Sequence, residues 1–526
     1  MKHKTTIALF ALLFWSVSAL AATPKDTLVQ AWLFDDIITM DPQEMFEIST
    51  FEILGNVYDT LAIYDLDDTS KINGVVAESW SVGEDGKTYT FKIRDGIKFH
   101  SGNPLTAHDV EFSFRRMLQM DASPAFLLTD LGPSVDNMEE TVKAVDDKTF
   151  VLQVGDAFAP SFVLNVLTAA NFSIVDKTEV LAHDKDGDLG NEWLKTNSAG
   201  SGAFILKSWK PNESVSVTSF DDYWRGAPAL KRIVWRHIAE STTQRLLLEK
   251  GDVDIARNLP ADQLDPLKEN PDIAITSTPQ GTNYYLGLNV KNEYFANEKV
   301  RQAMKYLVDY DALTQTFLRD TFVVNQTFLP YGFLGSMEET PFSFDPAKAK
   351  SLLTEAGYPD GISVTMDTRN TWPVMDMAQA IQATFKEGGV NLEILPADGK
   401  TTLTKYRARK HDIYIGRWGV DYFDPNSNAV FAANSDNSDD AKSKPLAWRN
   451  SWQDETLTNL AKDLVMEKDA DKRAAGYNDM IQQHWERAPF VMMFQQVEVA
   501  AHNKSVQNFR LGPSSDTNFY HTVSKQ

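Results

Sequence analysis

Between Ala77 and Arg116 the chain reads AESWSVGEDGKTYTFKIRDGIKFHSGNPLTAHDVEFSFRR, a run that limits the fold more than any other stretch. Tyr89, Phe91 and Ile93 alternate with Thr90, Lys92 and Arg94, the two-residue period of a strand with one buried face. Glu84-Asp85-Gly86 before it and Asp95-Gly96 after it are turn chemistry, because Gly and Asp tolerate positive φ. Thr106 then stands where an N-cap belongs, with Asp109 three residues on, and Val110, Phe112 and Phe114 continue as a helix. A hairpin feeding a helix is a mixed α/β element, and nothing in it acts on a substrate.

The same alternation of strands and helices runs through most of the chain, which predicts α/β lobes with mixed sheets. Thr27–Trp32 reads as a strand, and 49–61 as a helix with Phe51, Leu54, Val57 and Tyr58 on one face. Strands are expected at 204–209 and 215–219, then a helix over 242–250 closed by Gly251. Residues 282–290 form a core strand, and 298–313 a helix with Val300, Ala303, Met304 and Leu307 on one face. A further helix starts at Pro346 and ends at Gly357. With 526 residues the chain should make two or three domains. It contains no cysteine, so neither a disulfide nor a lipidated thiol is available and stability must come from packing.

The N-terminus has the form of an export signal. Lys2 and Lys4 precede an apolar stretch, Ile7 to Val17, and Ala19-Leu20-Ala21 offers cleavage before Ala22. No later run reaches the roughly 18 apolar residues of a membrane span, so an exported, soluble protein is expected. Cleavage removes two lysines and no acids, taking the formal charge from −22 to −24. That acidity argues against nucleic acid or an anionic membrane as partner; it fits a solubilising surface, or attraction to cationic solutes.

The pattern DGKTYTF-x-IR-x-G-x-KFH-x-G-x-PLTA-x-DV-x-FS within 85–113 resembles the signature of the family 5 extracellular solute-binding proteins, the dipeptide, oligopeptide and nickel receptors of ABC importers. LEKGDVDIARNLPADQL and FDPAKAKSLLTEAGYPDG look like further hallmarks of that family, so the resemblance covers essentially the whole mature chain. It implies an α/β periplasmic binding protein fold, two lobes around a hinge with an extra inserted domain. After a signal peptide at 1–21, lobe I would comprise 22–66, 200–290 and 495–526. The inserted domain would be 67–199 and lobe III 291–494. It further implies a monomeric receptor of the Gram-negative periplasm. This would capture a small peptide between the closing lobes and pass it to an inner-membrane ABC permease, with no cofactor and no catalysis.

Within DIYIGRWGVDYFDP, 412–425, Ile413 and Ile415 alternate as a strand ending at Gly416, leaving Trp418, Asp421 and Asp424 in the loop beyond. The segment resembles the element of peptide-binding members in which an aspartate three residues after a tryptophan accepts the ligand's ammonium. Carried over, that is Asp421, with Trp418 as an apolar wall; the competing reading of either Asp421 or Asp424 is a turn-stabilising aspartate. Arg369 stands where dipeptide receptors carry a carboxylate-pairing arginine, with Arg417 and Arg409 as rivals and an ordinary surface ion pair as the alternative. Some oligopeptide receptors place an arginine six residues before the aspartate, where this chain has Ile415. Tyr284, Tyr285 and Trp372 are candidate cleft aromatics or core residues. Ser49 and Thr50 offer hydroxyls.

Other chemistries find less support. A calcium loop starting at Asp184 would need Gly sixth and Glu twelfth, but Leu189 and Lys195 stand there, so Asp184–Asp188 reads as an irregular site or a solvated loop. The nine histidines show no ligand spacing and no thiol exists, which speaks against bare metal as cargo or cofactor. GxSxG, HExxH, P-loop and GxGxxG motifs are all missing, so a secreted hydrolase is a remote alternative. A non-peptide cargo on the same fold, such as an opine, an oligosaccharide or a metal chelate, is the nearer one.

Overall fold

The computed structural model describes residues 23–441 and 443–526; the expected signal peptide at 1–21 lies outside them. Strand β1 (Thr27–Trp32) leads to helix α1 (Ile48–Leu54). Then come β2 (Ala77–Val82), β3 (Thr88–Ile93), α2 (Ala107–Met120), β4 (Val142–Asp146) and β5 (Thr149–Gln153). Strands β6 (Phe204–Lys210), β7 (Ser214–Ser219) and β8 (Arg232–His237) precede α3 (Ser241–Lys250) and β9 (Ile255–Arg257). After the long β10 (Ile273–Leu288) follow α4 (Glu298–Lys305), α5 (Tyr310–Gln315), β11 (Phe322–Val324) and α6 (Pro346–Glu355). The remainder is β12 (Ile362–Arg369), α7 (Val374–Glu387), β13 (Val390–Ala397), α8 (Gly399–Arg407), β14 (Ile413–Gly419), α9 (Leu446–Arg449) and β15 (Phe490–Asn503).

One eleven-stranded mixed sheet runs in the order β13-β12-β14-β10-β15-β9-β1-β8-β7-β6, with β11 on β15. Its two longest strands, β10 and β15, pair twice. Ile273–Pro279 pairs with Val497–Asn503, and Asn283–Gly287 with Phe490–Gln495. The register shifts between, where Pro279 has no amide hydrogen to give a ladder. Gly281 sits in that break, donating to the Pro513 carbonyl at 3.0 Å and accepting from Val420 N–H at 2.9 Å. A β-carbon there would meet a Val420 methyl at 2.6 Å, so any larger residue at the crossing must displace Val420. The break divides the sheet into a β1 wing and a β14 wing joined by two strands.

Separate hydrophobic cores form on these parts. The β1 wing buries Leu28, Trp235 and Ile255 on one face and Leu248, Leu264 and Val499 on the other. In the β14 wing Met304, Ile381 and Ile415 cover one face, and Tyr285, Tyr406 and Tyr477 the other. A small antiparallel sheet, β2-β3-β5-β4, packs Phe91 and Phe150 on Phe114 of α2. Thr106 caps α2 as a capping box with Asp109. That small core also takes in Tyr422 and Val465 from the β14 wing, and Ala159 N–H donates to the Val465 carbonyl at 2.9 Å. Residues Val175, Val180, Leu194 and Ala199 pack instead into the β1 wing.

Buried ion pairs tie distant segments. Arg257 on β9 meets Glu52 of α1 at 2.9 Å and also Glu498 of β15, with Tyr520 on Glu52 at 2.6 Å. Breaking such a pair leaves an uncompensated buried charge, which costs about 3–5 kcal/mol. Arg116 of α2 likewise pairs with Asp41.

Three expected elements differ. The helix read over 49–61 stops at Leu54, because Gly55 presses on the Asp516 carbonyl and the Asn56 amide donates to Glu52 and Asn518 carbonyls. The helix read over 298–313 is two, since the Tyr306 carbonyl accepts from Asp345 N–H and Asp309 caps α5. Strand β14 continues past Gly416 to Gly419 because β10 pairs with it through Thr282; Trp418 therefore lies in the strand.

Candidate functional site

Strand direction fixes where the loops meet. Gly419 at the end of β14 lies opposite Thr282, beside the break, and β12 runs parallel to β14. From the other wing, Arg257 at the end of β9 lies opposite Ala500, nearer the break than Ile255, and β1 is parallel to β9. Both wings thus aim the C-terminal ends of parallel strands at one seam, the usual location of a crevice in open α/β sheets. The two sides approach closely: Ile48 of α1 lies about 3.6 Å from where a β-carbon on Gly419 would stand.

Asp421 is two residues beyond β14. Its N–H donates to Ser427 Oγ at 2.9 Å, but among the described residues its carboxylate accepts no hydrogen bond and forms no ion pair. Burial raises its pKa to about 7, and Arg449 opposes the rise only in part. Asp424 differs. It caps the following turn by accepting from Asn426 N–H and holds Arg473 through two bonds of 2.6 and 2.7 Å. Its charge is spent inside the protein. Trp418 packs on the Tyr285 core and keeps a buried Nε1–H without an acceptor.

Arg417 pairs directly across from Tyr284. Its side chain is exposed; desolvation on the strand side works against its charge, but Tyr284, Asp36 and Asp35 outweigh that and raise its pKa. Tyr284 is buried with its hydroxyl toward Gln496, and Phe322 links it edge-on to Trp372. Arg369 ends β12 with its guanidinium beside Gly399, the first residue of α8. Arg417, Tyr284 and Trp372 thus lie on the Met304 face of the sheet, whereas Trp418 lies on the Tyr285 face. Arg409 is not at the seam: it binds Ser451, Asn437 and Asp439. Tyr285 is core, with its hydroxyl 3.4 Å from that of Tyr406.

Sequence reasoning missed four charged neighbours. Tyr406 stacks on Tyr414 with centroids 3.9 Å apart; Arg407 follows it, and the Arg449 guanidinium lies 5.8 Å from its ring centre. From the β1 wing come Asp36 and Glu47. Asp36 Oδ1 is buried without a partner, and burial raises Glu47 to about 7, with Asp36 adding to the rise and Arg407 opposing it. Nothing in the local pattern marks these residues: Arg407 reads as the basic last turn of a helix, and Glu47 as an acid before one. Ser49 and Thr50 are buried, and the Thr50 hydroxyl lacks a partner.

The acidic loop spends its carboxylates locally. Asp188 accepts from the N–H groups of Lys185, Gly190 and Glu192, and Asp184 from that of Leu189. No group of three or more potential metal ligands occurs among the described residues. A separate cavity of about 50 Å³ beside Asp59 and Arg225 has room for a few waters only.

Comparison with known proteins places these features in context. Residues 71–440 match the model of the bacterial extracellular solute-binding proteins, family 5. The chain is 27% identical over 512 residues to the probable D,D-dipeptide-binding periplasmic protein of Escherichia coli, covering 96% of this chain and 95% of that one. It is 26% identical over 515 residues to the glutathione-binding protein of Pectobacterium atrosepticum, covering 95% of each. A solved structure from A. tumefaciens, a periplasmic binding protein in complex with mannopinic acid, superposes with a TM-score of 0.84 at 22% identity, over 96% of this chain and all of that one.

Proposed function

The chain belongs to family 5 of the bacterial extracellular solute-binding proteins, and from that premise we propose that it captures a small peptide at the seam between its two wings and delivers it to an ABC permease. The observation that carries this reading is Asp421. A half-buried carboxylate without a protein partner beside the seam is an open position for a cation, and a peptide's free ammonium forms charge-assisted hydrogen bonds there. The unmatched Nε1–H of Trp418 offers a donor to a ligand carbonyl, and Arg369 or Arg417 a site for its terminal carboxylate. Relatives that bind a dipeptide or glutathione are in keeping with it.

In this reading the β1 wing is lobe I, the small sheet the inserted domain and the β14 wing lobe III. The two lobes turn about 279–283 and 495–497 of β10 and β15, and 175–199 move with lobe I. Ligand contacts to both sides favour the closed form, which the permease recognises. Protein exported by its signal peptide would do this in the periplasm as a monomer, with no chemical step of its own. Thermal-shift screening of free and N-acetylated di- to pentapeptides tests it. Free peptides should raise the melting temperature, and acetylation, which removes the ammonium, should abolish the rise. Equal response to both overturns the role of Asp421. A second reading, an opine-like cargo, is favoured by the mannopinic acid complex of the A. tumefaciens relative; such a ligand would raise the melting temperature where all peptides fail.

A further inference from the structure

Around Tyr414 the β14 wing gathers more positive charge than one terminal carboxylate needs. Arg369 stands at the end of β12, Arg407 at the end of α8 and Arg449 on α9, while Arg417 leaves β14 on the face opposite Tyr414. The geometry is built around rings and a glycine. Tyr414 stacks on Tyr406, and its ring lies over Gly416, where a β-carbon would collide with it. Arg449 stands by the Tyr406 ring, and Arg369 lies against Gly399 at the start of α8, the helix that carries Tyr406.

None of the four forms an ion pair among the described residues, although Arg116, Arg257 and Arg473 all do so elsewhere in this strongly acidic chain. Burial raises the Tyr414 phenol, and all four arginines act together against that rise. They also repel one another: after burial, Arg449 is the main influence lowering Arg407. Facing them are Asp421 on their own wing and Asp35, Asp36 and Glu47 on the other, with Asp421 and Glu47 raised to about 7 and so only partly ionised at neutral pH. Arg407 and Arg417 are exposed and Arg369 and Arg449 half-buried, so water solvates them in the empty protein, and like charges concentrated at the seam attract an anionic solute.

We infer that the solute carries at least two carboxylates, one beyond that of a neutral peptide, and that Arg369, Arg407, Arg417 and Arg449 receive them while Asp421 takes the ammonium. The inference rests on the proposed receptor role and narrows its cargo to net-anionic, amine-bearing solutes.

Calorimetric titration of the full mature protein, freed of ligand by denaturation and refolding, compares the isosteric pairs Ala-Glu with Ala-Gln and Glu-Ala with Gln-Ala. The acid should bind about 10-fold or more tightly in at least one pair, with a preference that shrinks as salt rises. Equal or tighter binding of the amide in both pairs overturns the inference while leaving a peptide receptor intact. Citrate and an N-carboxyalkyl amino acid complete the panel. If these bind and no peptide does, the charge assignment stands and the peptide reading falls; if nothing binds, both fall. Arg407→Gln and Arg449→Gln, checked for folding by circular dichroism, should each cut the acid-to-amide ratio several-fold. An unchanged ratio in both removes these two arginines from the assignment and overturns it. Should either variant misfold, the wild-type ratio and its salt dependence still decide.

Discussion

Replacing Asp421 by Asn should move stability and binding in opposite directions. The carboxyl is raised from 3.8 to about 7 by burial, which corresponds to roughly 4 kcal/mol of preference for the neutral form in the empty protein. Solvent reaching a half-buried side chain reduces this to about 2 kcal/mol. The sign follows from linkage. A carboxyl whose folded pKa is raised favours the folded state fully below pH 3.8, and that contribution is lost as pH rises through about 7. The amide of the Asp421→Asn variant carries no such charge, so the ligand-free variant should equal the wild type near pH 4 and exceed it at pH 8. With an unfolding entropy of about 1 kcal/mol per kelvin for a chain of this length, the gain is about 2 °C. Binding should go the other way. Loss of a charge-assisted bond worth about 1.5–3 kcal/mol weakens an amine-bearing ligand by roughly 10- to 150-fold. Differential scanning calorimetry at pH 4, 6 and 8 reads the first effect, and titration calorimetry the second. A variant less stable than wild type at pH 8, or one that binds with unchanged affinity, refutes the reasoning.

Gly281→Val places side-chain atoms where Val420 already stands; it should weaken ligand binding about 10-fold or more, with circular dichroism unchanged. Arg473→Met strands the Asp424 carboxylate in the interior, and denaturant titration should show a loss of about 3–5 kcal/mol. Tyr422→Ala removes a ring that the β14 wing lends to the small core beside Phe162. Stopped-flow release of ligand should speed up several-fold, because an apolar contact between the small sheet and the β14 wing is lost.

What the chain reveals by itself follows from the range of the forces involved. Local patterns located well: the 88–93 alternation, the Thr106 cap and the Gly251 and Gly357 stops all depend on neighbours a few residues away. The end of α1 was not legible, because Asn518 and Asp516, more than 450 residues distant, set it. Nor was the length of β10: TNYYLGLNV looks like a core strand, but ITSTPQG before it carries a proline and a glycine that normally end one. Those two residues mark the crossing between wings. At the site, Asp421 and Trp418 were visible only through a family likeness in one segment. Arg407, Arg449, Asp36 and Glu47 come together from four loops and helices, and no single window contains two wings.

The most direct test of peptide capture is native mass spectrometry of freshly purified mature protein, before and after mild denaturation. Closed wings bury the solute and slow its release, so a retained ligand is expected. Wild-type protein should carry a bound mass, or a ladder of masses, assignable to acidic peptides and absent from the Asp421→Asn variant. A single non-peptide mass retained equally by wild type and variant would contradict it.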